Sequence, residues 1–335
     1  MKTGRYMVKK DGPLTKTVVI TGAASGIGKA AALEFARRHY HVVATARSDA
    51  GLQELIPECV SLGAEILVQP ADVSDSSSME SLAQTVMDRF GGIDVWVNNA
   101  AVSLFGRFEE VPLELVRRVI ETNLFGYING ARAVIPHFRK QGTGTLINVS
   151  SVVGKLGQPY TGAYTISKFA INGLSATLRM ELRDAPGVHV CTVLPASIDT
   201  PLYQTAANYS GRAIKPMEPV YRAEKVAKVI VRLAQRPKRE AFVGTSGRMG
   251  YLASLIAPSL TEKVMTGMVL KHHFQQREAP VSNGNLFEPD NRLTSVSGGW
   301  ISPKEKPGFM KRALAGSGAL ALGAGAMALL SRRYL

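Results

Sequence analysis

From Thr17 onward, short apolar runs alternate with segments of helical spacing. Residues 17–22 (TVVITG) are an unbroken β-branched run closed by glycine, which predicts a buried strand. HVVATAR at 41–47, AEILVQPADV at 64–73, IDVWVNNA at 93–100, GTLINVSS at 144–151 and VHVCTVLP at 188–195 read the same way. Between them, GKAAALEFARRH places Ala31, Phe35 and Arg38 on successive turns, and SMESLAQTVMDRFGG is a helix stopped by two glycines. Residues 113–138 and 161–183 predict two long helices, AEKVAKVIVRLAQR at 223–236 a further one, and EAFVG at 240–244 a last short strand.

Strands that alternate with helices, and that are apolar on both faces, predict a parallel sheet covered on both sides. The expected fold is therefore α/β, a Rossmann-like doubly wound parallel sheet of about seven strands in one domain. Pro201, Gly211, Pro216 and Pro219 interrupt the pattern, so residues 201–222 read as a long mobile loop placed to form a substrate lid. Residues 248–275 are apolar-rich and helical. The expected organisation is an N-terminal extension at 1–13, a catalytic domain at 14–275, a disordered linker rich in Pro, Asn, Ser and Gly at 276–310, and an apolar tail at 311–335.

Composition narrows the function. With 45% hydrophobic and 20% charged residues, the chain can bury a core. A net charge of +14 favours phosphate-bearing ligands or anionic surfaces. The Lys and Arg residues are scattered and form no nucleic-acid motif, so no nucleic-acid partner is expected. Cys59 and Cys191 are the two cysteines, and Cys191 in HVCTVLP reads as a core residue. The histidines do not stand at ligand spacing, so no metal site is expected. The first sixteen residues contain no apolar run and do not read as a secretory signal. Ala313 to Leu330 carries no charge and is flanked by Lys311, Arg312, Arg332 and Arg333. As a helix this stretch would be about 27 Å long, at the lower edge of a bilayer span. It reads as a C-terminal membrane anchor on an otherwise cytoplasmic enzyme.

Chemistry gathers at the strand ends. The first strand runs into Thr21-Gly22-Ala23-Ala24-Ser25-Gly26-Ile27-Gly28 and then a helix. Glycines let the backbone approach a ligand, and the helix N-terminus offers N–H groups to a phosphate. Arg47 and Ser48 close the second strand, over which an adenosine ribose lies in a dinucleotide fold. Ala46 stands there in place of an acid, and a guanidinium beside a hydroxyl suits a 2′-phosphate, so NADP(H) is expected over NAD(H). Tyr164 and Lys168 lie four apart on one helix face. An ammonium there is expected to lower the phenol's pKa and make it a general acid and base. Ser150 and Ser151 end the fifth strand, and Asn98 and Asn99 the fourth.

Over residues 14–250 these motifs resemble the compact branch of the short-chain dehydrogenase/reductase family. TGAASGIG is similar to its cofactor loop, with Gly22, Ser25, Gly26, Ile27 and Gly28. Asp72 and Val73 in ADV resemble its adenine-side motif, and Asn99 and Ala100 in NNAA its N-N-A-G segment. Asn123 in ETNLFG matches the family's helix asparagine, and Ser151 stands thirteen residues before Tyr164, the family spacing, with Ser150 as its rival. Pro195 and Thr200 in LPASIDT resemble the nicotinamide-side motif. The resemblance implies that Tyr164 exchanges a proton with the substrate oxygen, Ser151 holds that oxygen, and Lys168 holds the ribose hydroxyls. It also implies that Asn123 anchors a water in a relay with Lys168, and that the chain forms a homo-oligomer. The mouth is expected to include Val102, Leu104, Phe105, Val152, Val153, Leu156, Tyr160, Leu202, Tyr203 and Tyr209, which suits an apolar carbonyl or alcohol. The alternatives are a non-catalytic NADP(H)-binding sensor, a membrane-tethered scaffold that kept the fold, and a sugar epimerase.

Overall fold

A computed structural model describes residues 15–301 of the chain. Among these residues, seven strands form one sheet: β1 (Thr17–Thr21), β2 (His41–Thr45), β3 (Ile66–Val68), β4 (Val95–Asn98), β5 (Gly144–Val149), β6 (Val188–Pro195) and β7 (Glu240–Val243). Their order across the sheet is β7-β6-β5-β4-β1-β2-β3, and every neighbouring pair is parallel. The order reverses direction between β1 and β4, and a crevice opens at that switch point beyond the strand C-termini.

Alternation within the strands decides the two faces. Val18, Ile20, Val42, Ala44, Val95, Val97, Ile147 and Val149 point to one side and pack under α1 (Gly26–Ala36), α2 (Asp49–Ser61) and α7 (Ala223–Gln235). Val19, Val43, Trp96 and Leu146 point to the other and pack under α3 (Ser76–Phe90) and α5 (Gly126–Gln141). Both faces are dry, which is why these strands read as continuous apolar runs and not as an alternation. Ala30, Ala31, Ala32 and Ala36 are buried, and α1 lies closely against α7 over these small side chains.

The long helix expected at 113–138 is one rod with a defect. It begins as α4 (Leu113–Ile120), passes through a π-helical turn at Glu121–Phe125, and continues as α5. Such turns gather at functional sites, and this one holds Asn123. α6 (Gly162–Glu181) carries Tyr164 and Lys168 in its first two turns. α8 (Thr245–Ile256) and α9 (Pro258–His272) fill the helical stretch expected beyond 248.

Two expectations are corrected. Residues 201–222 are not one irregular loop: Leu202–Thr205 forms a helical turn, and Ala207–Asn208, Arg212–Ile214 and Tyr221–Arg222 each pair with another short strand. Elements of two or three residues leave no periodicity to read. The segment expected to be a disordered linker is docked on the core as far as the structure describes it. Phe274–Glu278 pairs with Arg212–Ile214, and Leu286 is buried among Val102, Leu104, Leu115 and Val119. Its polar composition misled because side chains and main chain are used as hydrogen-bond partners, with few apolar anchors. Among the described residues no helix is long and apolar enough to cross a membrane. The apolar run at 313–330 and the N-terminal extension at 1–13 lie outside the described residues.

Candidate active site

An elongated cleft of about 350 Å³ follows the C-terminal edge of the sheet from Arg47 to Thr200 and opens beside Tyr164 into an apolar chamber. Nearly every residue expected to bind the cofactor lines it: Gly22, Ser25, Gly26, Ile27, Arg47, Ser48, Asp72, Val73, Asn99, Ala100, Pro195 and Thr200. Gly28 does not, and supports the loop from beneath. A Cβ on Gly28 would press into the Gly22 carbonyl, and one on Gly22, at φ +66°, would come within 2.7 Å of the Ala100 Cα. Both positions therefore require glycine. The Asn99 amide ties the same loop to β4, donating to the carbonyls of Thr21 at 2.9 Å and Gly22 at 3.2 Å.

The adenosine end is polar and basic. Burial raises the Asp72 carboxyl, but bonds from the Ser74 backbone and from Arg118 outweigh it and hold the group below the usual carboxylate range. The Arg118 guanidinium donates to Asp72 at 2.7 Å. Arg47 donates to the carbonyls of Leu286 at 3.0 Å, Phe287 at 2.9 Å and Asn285, and burial lowers its pKa. The Ser48 hydroxyl accepts from Gly51 N–H at 3.1 Å, capping α2, and donates to Asn291 at 2.7 Å.

At the other end, the two serines part ways. The Ser150 hydroxyl donates to the Lys168 carbonyl at 3.0 Å, turned into the α6 backbone, whereas the Ser151 hydroxyl lines the cleft beside Tyr164, donating to the Pro195 carbonyl at 3.4 Å and accepting from Val153 N–H at 3.3 Å. The Lys168 Nζ lies 5.3 Å from the Tyr164 ring centre and donates to the Val149 carbonyl at 3.0 Å. Burial depresses the Lys168 ammonium to about 7. The phenol does not follow the expected downward shift: burial and the neighbouring Tyr203 push Tyr164 well above its ordinary range, with Ser151 pulling weakly the other way. Desolvation wins because the phenol sits partly buried in the cleft and only the Ser151 hydroxyl acts against it.

Asn123 is fully buried. Its side chain accepts from Val102 N–H at 2.8 Å and donates to the Val102 carbonyl at 2.9 Å and Ser167 at 3.2 Å. None of its side-chain bonds reaches Lys168, so in this geometry it ties the π turn to the chamber wall.

The chamber is less local than expected. Val102, Phe105, Val152, Val153, Leu156, Leu202 and Tyr203 line it as anticipated. Leu104 and Tyr209 do not line it but pack beside Val102 in a cluster with Leu286, and Tyr160 stacks edge-on against Phe274. Met265 and Met268 from α9, Met217, and His273 complete the wall. The His273 ring meets Phe105 edge-on at 5.0 Å, and burial lowers its pKa. Tyr203, pushed up to about 12 by burial, stands beside Tyr164. Nothing in the local sequence marks His273 or the methionines, because they come from the end of α9, from its body and from a distant segment, and only the folded chain brings them to one wall.

Comparison with known proteins agrees with this geometry. A sequence profile described as short chain dehydrogenase matches residues 16–209. The chain is 35% identical over 268 residues to an uncharacterized oxidoreductase, YxnA, of Bacillus subtilis, covering 79% of this chain and 75% of that one. It is 36% identical over 190 residues to 3beta-hydroxysteroid dehydrogenase 1 of Eggerthella lenta, covering 56% and 72% respectively. An alcohol dehydrogenase from the archaeon Thermococcus sibiricus, solved in complex with 5-hydroxy-NADP, superimposes with a TM-score of 0.60 at 31% identity, over 68% of this chain and 96% of that one. With the glycine loop, the nicotinamide-cofactor cleft and the Ser-Tyr-Lys cluster in one crevice, the chain belongs to the short-chain dehydrogenase family and is an oxidoreductase acting on CH–OH groups.

Proposed function

We propose that the protein is an NADP(H)-dependent oxidoreductase that interconverts a carbonyl and an alcohol on an apolar small molecule, with Tyr164 as the general acid and base. The observation that carries this reading is the meeting of Tyr164, Ser151 and Lys168 where the dinucleotide cleft enters an apolar chamber. The nicotinamide, when bound, supplies or accepts the hydride. The raised pKa keeps the Tyr164 phenol protonated at neutral pH, ready to give its proton to a substrate oxygen during reduction. Ser151 holds that oxygen as negative charge gathers on it. Lys168, when protonated, stabilises the phenolate left behind.

Support for NADP(H) comes from Arg47 and Ser48 at the adenosine end and from the absence of an acid at Ala46. Aromatic and thioether walls support a lipophilic substrate. The proposed self-association is supported by the exposed side chains of Phe125, Ile166 and Phe169 on neighbouring turns of the π segment and α6. The membrane-anchor reading of 313–330 rests on sequence alone, and fractionation of the full-length chain with and without detergent tests it.

The experiment for the main reading follows NADPH and NADH oxidation against a panel of apolar ketones and aldehydes, with short polar carbonyls as controls. Turnover of apolar carbonyls with NADPH in preference to NADH is expected. Exclusive use of NADH, or turnover confined to the polar controls, would overturn the corresponding part of the assignment.

A further inference from the structure

Residues 285–300 run along the whole open side of the cofactor cleft and touch it at three stations. At the adenosine end, the carbonyls of Asn285, Leu286 and Phe287 accept from Arg47, and Asn291 accepts from Ser48. In the middle, where α1 turns its N-terminus toward a pyrophosphate, the Ser295 carbonyl accepts from Gly26 N–H at 3.0 Å. Thr294 donates to Glu54 on α2 at 2.6 Å beside it. At the nicotinamide end, one carboxylate gathers the strand: Asp199 accepts from the Ser297 hydroxyl at 2.6 Å and from the N–H groups of Gly298 and Trp300, both at 3.0 Å. The Trp300 indole donates to the Thr200 carbonyl at 3.2 Å.

Asn285, Pro289, Asp290, Leu293 and Thr294 face the same cleft as Gly22, Gly26 and Arg47, so the segment is a roof and leaves space beneath it. Its attachment is uneven. Leu286 is an apolar plug, fully buried at the hinge end. Beyond it, Val296 packs against the core and Trp300 meets Tyr203 edge-on at 6.1 Å, and the remaining attachments are hydrogen bonds between groups that are well hydrated when undocked and individually weak. Segments held in that way open locally without global unfolding.

We propose that residues 288–300 are a strap that closes over the bound nicotinamide dinucleotide and must lift for it to enter or leave. Leu286 and the Arg47 contacts are the hinge, and Asn291, Thr294 and Ser297 are the fastenings. The strap therefore governs the rate of cofactor exchange. This rests on dinucleotide binding and not on the preference for a 2′-phosphate, because the fastenings lie along the whole cleft.

Two measurements test it, each with NADPH and, in parallel, with NADH, so that a failed preference leaves the strap on trial. In the first, release of prebound reduced nucleotide is followed by the fall in its fluorescence when chased with oxidised nucleotide. The Asn291→Ala/Thr294→Ala/Ser297→Ala protein should release it about tenfold faster or more than the unmodified protein. In the second, amide hydrogen exchange of residues 288–300 in the unmodified protein should slow about tenfold or more when nucleotide binds. Unchanged exchange, or exchange that quickens on binding, would overturn the proposal whether or not the triple variant folds. An unchanged release rate in a folded triple variant would overturn it equally.

Discussion

Lys168 is an ammonium buried where little water can reach it, and its pKa stands near 7. A depression from 10.5 to about 7 corresponds to on the order of 5 kcal/mol against the charged form. Raising the pH through 7 should therefore remove the charge while the Tyr164 phenol, pushed upward by burial, remains protonated. What is lost is the attraction between the ammonium and the developing phenolate. Taking the 5.3 Å between Nζ and the ring centre as the charge separation, and an effective dielectric of about 20, that attraction is about 3 kcal/mol. The loss is about a hundredfold in rate. The assay is kcat/KM for reduction of a good carbonyl substrate between about pH 5.5 and 9.5. A plateau is expected on the acid side, then a tenfold fall per pH unit above about 7, levelling near one hundredth. A profile that stays flat to pH 9 would show that the Lys168 charge plays no part in the proton transfer.

The same burial has a stability cost. Below pH 7 both folded and unfolded chains carry the Lys168 proton, and the folded one bears the desolvation. Between about 7 and 10.5 only the unfolded chain takes up the proton, so this residue's penalty fades as the pH rises through that window. Lys168→Met should accordingly abolish turnover yet raise the unfolding free energy at pH 6 by about 1–3 kcal/mol, as seen by denaturant titration, with the gain shrinking toward pH 10. Arg47→Ala removes a guanidinium from the adenosine end and should weaken NADPH binding by roughly ten- to a hundredfold while leaving NADH within a few fold, measured by nucleotide fluorescence. An equal loss for both nucleotides would mean that Arg47 acts through the strap carbonyls alone. Gly28→Ala forces a methyl group against the Gly22 carbonyl and should cost ~1–3 kcal/mol of stability and most nucleotide affinity.

Much of this architecture is written in local patterns. Strands such as TVVIT and VCTVLP are buried on both faces, so they read as near-continuous apolar runs and their ends, such as the Asn98, Ser151 and Pro195 positions, are easy to place. Tyr164 and Lys168 share a helix face by spacing alone. Features that depend on distant partners were silent. α2 carries Pro57 and a mixed pattern, and gave no helical signal strong enough to name. The short strands at 207–208, 212–214 and 221–222 exist because their partners do. The strap at 285–300 reads as linker because Asn, Ser and Gly bind by main chain and short hydroxyls, a recognition with no hydrophobic period. The upward shift of Tyr164 is hidden for the same reason: a sequence shows the ammonium four residues away but not the Tyr203 and apolar walls that fold around the phenol.

The central claim is that one hydroxyl, on Tyr164, moves the proton while the rest of the cleft holds the nucleotide. Tyr164→Phe deletes that oxygen and leaves the ring, the α6 backbone and the Lys168 position in place. Single-turnover reduction by the variant, monitored at the nicotinamide absorbance, should slow by about 10²–10⁴-fold. Its affinity for NADPH, titrated on the same sample, should match that of the unmodified protein. Reduction at the unmodified rate with nucleotide still bound would contradict the assignment of Tyr164 as the proton donor.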